Sequence, residues 1–302
     1  AIEANFTKYT TNSGTDELKR AVCARYKTDY GIDYSPAETI ITAGGKQALY
    51  NAAMCLFGAG DEVITHMPGW PTLVEQIKLA DATPVIVHTH AEDGFTVRAE
   101  PILAAITPRT RGIIINSPGN PTGALISEQD MAAIADEAAK RGIWVLLDLC
   151  YDKLIYDATP HNLPRVLFER LRDHTVLCGS ASKAYAMTGW RCGWAVGPAA
   201  LVGACNALQS HSTSNVCSIT QKAGLLALTH KDQAEPAIHE MLTEYARRRE
   251  FLIPALNALP GVSCAPPGGA FYAFPDVSSH YARKGLANSV AFAKYLLDTV
   301  AV

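Results

Sequence analysis

From about residue 37 onward, short β-branched apolar runs alternate with longer, Ala-rich stretches whose apolar positions recur at helical spacing. Seven of the short runs predict buried strands, at 39–42, 62–65, 83–87, 112–116, 143–148, 175–179 and 192–197. Between them the spacing predicts helices over 46–57 and 73–80, and a third opened by Ser127, with Asp130 three residues on to complete its cap. Such alternation predicts an α/β protein: a mostly parallel seven-stranded sheet sandwiched by helices. A helical run over 234–259 then ends at Pro260-Gly261, and 262–275 predicts a new, strand-rich unit. The expected division is an N-terminal segment (1–14), a large domain (15–235) and a smaller α+β C-terminal domain (236–302). The pattern opens in mid-helix at Ala1 and breaks off at Ala301-Val302 as a strand begins, so both ends are expected to continue.

In sheets of this kind ligands bind beyond the carboxyl ends of the strands, and several polar residues follow the predicted strands directly. Lys183, in Ser180-Ala181-Ser182-Lys183, lies between hydroxyls and is followed by Arg191; a lysine that forms a Schiff base, beside donors for an anionic group, suits that setting, though a surface loop accounts for it too. Asp148 ends an apolar run, where a carboxylate is costly to bury without a cationic partner such as a protonated ring nitrogen; capping of the next segment explains it equally. Tyr151 and Asn120 are placed to bond a phenolate oxygen, and the Asn120 turn, Asn116 to Gly123, is also a plain structural turn. Gly44-Gly45-Lys46 joins a strand to a helix, an anion site in backbone terms. Trp70 can stack on a flat ring or fill a rim.

Composition narrows the classes. The 302 residues are 48% apolar, enough for a large core, and the formal charge of −3 offers no field to gather nucleic acid or anionic lipid. Arg247-Arg248-Arg249 falls on a helical stretch as a solvated face. Eight cysteines show no metal-binding spacing, which predicts reduced thiols and no metal. Neither an apolar run of about 18 residues nor a signal-peptide pattern occurs, so a cytoplasmic protein is expected.

Taken in order, G-G-K-Q-A-L at 44–49, P-x-W at 68–70, N-P-T-G at 120–123, D-x-x-Y at 148–151, and S-x-S-K followed by G-W-R-x-G over 180–193 resemble the class I aminotransferases of the fold-type-I pyridoxal-phosphate (PLP) enzymes. Residues 184–190 and 208–215 are similar to the bacterial aspartate/prephenate aminotransferase subgroup. That resemblance implies pyridoxal 5′-phosphate as cofactor, with Lys183 as Schiff-base lysine and proton carrier. It pairs Asp148 with the pyridine nitrogen, Asn120 and Tyr151 with the phenolate oxygen, and Trp70 with the ring face. Gly45, the Lys46 backbone, Ser180, Ser182 and Arg191 would hold the phosphate. Tyr9, in Lys8-Tyr9-Thr10, would reach the phosphate of a second subunit, which implies a homodimer. The implied reaction takes an amino group from an L-amino acid, aspartate in this subgroup, to 2-oxoglutarate in ping-pong order, and the arginine for the substrate α-carboxylate would fall beyond Val302. The chain departs from the family at Gly69, at Leu149-Cys150 and at Val216. A carbon–sulfur lyase of the same fold shares this residue set; a PLP-binding sensor of a transcription regulator would keep Lys183, but no basic DNA-binding segment is present.

Overall fold

The computed structural model describes residues 1–301. One sheet is built from β1 (Thr39–Ala43), β2 (Glu62–Met67), β3 (Thr83–His88), β4 (Thr110–Asn116), β5 (Trp144–Asp148), β6 (Thr175–Ser180) and β7 (Cys192–Val196). Its order is β1-β7-β6-β5-β4-β2-β3. The helices are α1 (Asp16–Tyr30), α2 (Gly45–Leu56), α3 (Pro71–Leu79), α4 (Ala99–Ala104), α5 (Glu128–Arg141) and α6 (Leu163–Leu171), then α7 (Ala199–Ser210), α8 (Ser218–Thr229), α9 (Lys231–Asn257), α10 (Tyr281–Lys284) and α11 (Ser289–Val300).

Strand residues alternate between the two faces, and both faces are covered. Ile113, Ile115, Val145, Leu147, Leu177 and Trp194 pack with Leu18, Val22, Ile134 and Leu167 from α1, α5 and α6. Their neighbours Ile114, Leu146, Val176 and Ala195 pack on the opposite face with Ala48, Leu49, Leu73 and Leu201 from α2, α3 and α7. Each fully buried Ile or Leu in these layers contributes roughly 1.5–3 kcal/mol, which is why the strands read as continuous apolar runs. The cap of α5 forms as the spacing predicts, with Ser127 Oγ accepting the Asp130 N–H at 3.0 Å.

One strand runs against the rest. β7 is antiparallel to both β6 and β1, whereas β2, β3, β4, β5 and β6 pair in parallel. The reversal gives β1 the same direction as β6, so the ends of β1, β2, β4, β5 and β6 and the start of β7 share one edge. Every loop named above as a candidate leaves the sheet there.

Elsewhere the structure departs from the pattern. The first fifteen residues form turns instead of a helix: Phe6 N–H closes on Ala1 O at 2.9 Å and Asn5 stands at φ +53. The segment after α9 is poor in strand: among the described residues β8 (Ser263–Cys264) pairs with β9 (Pro275–Asp276) and Gly269 makes an isolated bridge to Ile155, because Pro266-Pro267-Gly268-Gly269 cannot sustain a ladder. Helix α9 carries the chain continuously across residue 235. Of the strand expected at 301–302, Val302 lies outside the described residues and Ala301 ends α11 in the left-handed region. The cysteines are free thiols, with Cys217 exposed.

Candidate active site

β6 runs out at Ser180, and the chain loops through Lys183 before re-entering as β7, the loop closed by Ala181 N–H donating to Cys192 O at 3.0 Å. Lys183 is half-buried and lines a cleft of about 470 Å³. Arg191, at the end of the loop, donates to Thr188 O (2.9 Å) and Ala43 O (3.3 Å), which brings its guanidinium against the β1–α2 turn at Gly44-Gly45. Close approach of the two turns depends on Gly193, where a Cβ would overlap the backbone of Gly44 and Gly45. The Gly45 and Lys46 backbone at the start of α2, the Arg191 cation and Ser182 line the same part of the cleft and together could cradle an anion. Ser180 stands just behind this wall, 1% exposed and packed against Gly45, its hydroxyl accepting the Ser182 N–H at 3.3 Å.

A carboxyl enters the cleft from β5, two strands along the sheet from β7. Asp148, 3% exposed at the tip of β5, accepts the Cys150 N–H at 3.0 Å. Burial raises its pKa to about 7, outweighing the downward pull of that hydrogen bond. A cation brought beside Asp148 would restore its charge. Asn116, paired in register with Asp148, accepts the Asn120 N–H on Oδ1 at 2.8 Å and so fixes the turn that turns Asn120 into the cleft. Tyr151 is buried, its phenol held protonated well above the ordinary range by burial and by the Tyr272 hydroxyl 2.5 Å away. Trp70 walls the cleft, with Lys46 Nζ 4.9 Å from its ring centroid.

Of the residues the sequence points to, Gly45, Lys46, Trp70, Asn120, Asp148, Tyr151, Ser182, Lys183 and Arg191 line this one cleft. Tyr9 is 91% exposed and lies outside it. Asn116, Cys150, Thr188 and Tyr272 also line the cleft without having been singled out for it. Asn116 ends a strand just as Asp148 does, and Cys150 and Thr188 sit inside quoted motifs, so the first three carried a usable signal; Tyr272 carried none. A tryptophan wall, a carboxyl, an anion cradle, and a primary amine with hydroxyl and amide donors fit a flat heterocycle with a basic nitrogen and an anionic arm.

The family description Aminotransferase class I and II matches residues 2–302. The chain belongs to that family of pyridoxal-phosphate-dependent enzymes and is an aminotransferase. It is 40% identical to the aspartate/prephenate aminotransferase of Cereibacter sphaeroides, over all of this chain and 76% of that protein. It is 37% identical to the aspartate aminotransferase of Geobacillus stearothermophilus, again over all of this chain and 76% of the relative. Among solved structures, the Rhizobium meliloti aspartate aminotransferase superposes with a TM-score of 0.93 at 36% identity, covering 100% of this chain and 76% of that one. The Thermus thermophilus aspartate aminotransferase with maleate superposes at 0.92 and 36% identity, covering 99% and 75%. Among the described residues no helix is long and apolar enough to cross a membrane.

Proposed function

We propose that this cleft binds pyridoxal 5′-phosphate through Lys183 and that the chain moves the amino group of aspartate to a 2-oxo acid such as 2-oxoglutarate, in ping-pong order. The observation that carries the reading is Asp148, a buried carboxyl in a tryptophan-walled cleft that also holds a candidate anion cradle. Asp148 would pair with the pyridine nitrogen, Asn120 and Tyr151 would donate to the phenolate oxygen, and Trp70 would stack on the ring. Gly45 and Lys46 N–H groups, Ser182, Ser180 behind them and Arg191 would hold the phosphate. When bound, the cofactor supplies an electron sink for the pair released at the substrate Cα. The protein supplies the rest. Lys183 moves the proton at that carbon, and Asp148 keeps its partner nitrogen cationic. Tyr272 lines the cleft, and the Phe271 ring lies 5.6 Å from Lys183 Nζ.

An aspartate donor is supported by the Lys46 ammonium over Trp70, a cation beyond those of the cradle and Lys183 for a second carboxylate, and by the names of the relatives. In the same reading residues 1–14 lie against a second copy, with the exposed Tyr9 reaching that copy's phosphate end, and residues 236–302 belong to a smaller domain.

The test is the visible spectrum of the loaded protein. Wild type should show a cofactor band that aspartate moves to shorter wavelength, and Lys183→Ala should lack the wild-type band. A band indifferent to aspartate would overturn the donor, and no band after loading would overturn the cofactor reading.

A further inference from the structure

Residues 268–272 follow α9 by more than ten positions, yet they are locked onto two loops of the cleft. The Gly268 and Gly269 N–H groups both donate to Gly123 O at 2.9 Å, Ala270 N–H donates to Leu154 O at 2.8 Å, and Tyr156 N–H donates to Gly268 O at 2.9 Å. Tyr156 OH adds a bond to Ala270 O at 2.5 Å. The approach requires Gly123, at φ +67, where a Cβ would overlap Pro267. This docked turn carries Tyr272 to the Tyr151 hydroxyl, 2.5 Å away, with the two rings edge-on and their centroids 5.7 Å apart.

A phenol has one proton to donate and two lone pairs. Tyr151, held neutral in its buried place, can therefore aim its proton at Tyr272 or into the cleft. We propose that Tyr272 is a positioning residue: its hydroxyl donates to the Tyr151 oxygen, so that the Tyr151 proton points into the cleft, toward the phenolate oxygen of the cofactor. This rests on the role proposed above for Tyr151. Accepting a bond polarises the Tyr151 hydroxyl and makes it the stronger donor. A phenolate oxygen so bonded is a weaker partner for the proton on the nitrogen that joins Lys183 to the cofactor, and that proton leaves at lower pH. The other titratable groups around Tyr151 are Cys150 and Asp148, with Lys183 in the same cleft.

The experiment loads wild type, Tyr272→Phe, Tyr151→Phe and the double variant with pyridoxal 5′-phosphate, follows the visible band against pH, and measures cofactor retention by equilibrium dialysis. Tyr272→Phe should raise the midpoint by about half a pH unit and weaken retention by roughly threefold, as expected for one weakened hydrogen bond. Tyr151→Phe should raise the midpoint further, and the double variant should match Tyr151→Phe alone. If Tyr151→Phe shifts the midpoint and Tyr272→Phe does not, the relay is overturned while the cofactor reading stands. Additive shifts in the double variant also overturn it, because Tyr272 then acts without Tyr151. No shift in Tyr151→Phe overturns the relay together with the role of Tyr151, and no band in wild type overturns both proposals. Should Tyr272→Phe fail to fold, 3-fluorotyrosine at 272, a stronger donor of nearly the same shape, must lower the midpoint; a midpoint that stays or rises overturns the relay.

Discussion

Asp148 is where burial and chemistry meet most directly. Its carboxyl binds a proton more tightly in the folded chain, with a pKa near 7, than it does when unfolded, so without cofactor it opposes folding as pH rises. The effect is absent below the ordinary carboxylate range, grows as pH climbs toward 7 and is complete above it. Its size is on the order of 4 kcal/mol at most. His66, also buried, accepts the Asn116 N–H at 3.3 Å and has its pKa lowered to about 4, so its contribution runs the other way, stability being lost as pH falls. The two oppose each other between pH 4 and 7 in the wild type, and the informative quantity is the difference between proteins. Cofactor-free Asp148→Asn should gain stability relative to wild type as pH rises from 5 to 8, read from urea midpoints; a constant difference across that range would mean that Asp148 is ionised and already paired in the apoprotein. The same variant should bind the cofactor more weakly, since an amide cannot hold the ring nitrogen cationic.

Among elements, the reversed strand β7 decides the site. Inserted between β1 and β6, it returns the Lys183 loop to the edge it left and sets Arg191 against the start of α2. Gly193 is the residue that lets the β1–α2 turn approach the start of β7, and Gly193→Ala should force the Gly44-Gly45 turn away. The expected cost is about 1–3 kcal/mol of stability, with cofactor affinity falling more than the fold is weakened because the cradle is the part displaced. Parallel urea unfolding and dialysis would check this, and wild-type affinity in the variant would place the anion site elsewhere. The strands themselves were legible because both sheet faces are buried and each strand is a continuous apolar run. Their ends were less so: β2 continues through His66 and Met67 because β3 pairs with them, which the polar His66 conceals. The order of strands and the reversal of β7 are matters of long-range pairing, for which apolar spacing holds no record. Tyr272 was invisible for the same reason, since its partner Tyr151 lies 121 positions away, and only the docking of 268–270 on Gly123 and Leu154 brings them together.

On the scale of the whole molecule, one chain leaves part of the proposed site unaccounted for. Lys183, Asp148 and Arg191 converge on one cleft, but Tyr9 stands outside it, a large aromatic side chain 91% exposed. If two copies exchange this residue, every site contains Lys183 from one copy and Tyr9 from the other, and complementation separates that arrangement from a self-contained site. Lys183→Ala should be inactive, and Tyr9→Ala should be weakened in holding the cofactor phosphate. When the two variants are unfolded together and reassembled, mixed pairs place both defects in one site and neither in the other. Transamination of aspartate should then exceed the sum of the two variants measured alone and approach about a quarter of wild type in an equal mixture, because random pairing makes about half of the dimers mixed and each mixed dimer holds one intact site. Sites built within single chains would give no more than the average of the two variants weighted by their proportions in the mixture, because each chain would carry its own defect into its own cleft.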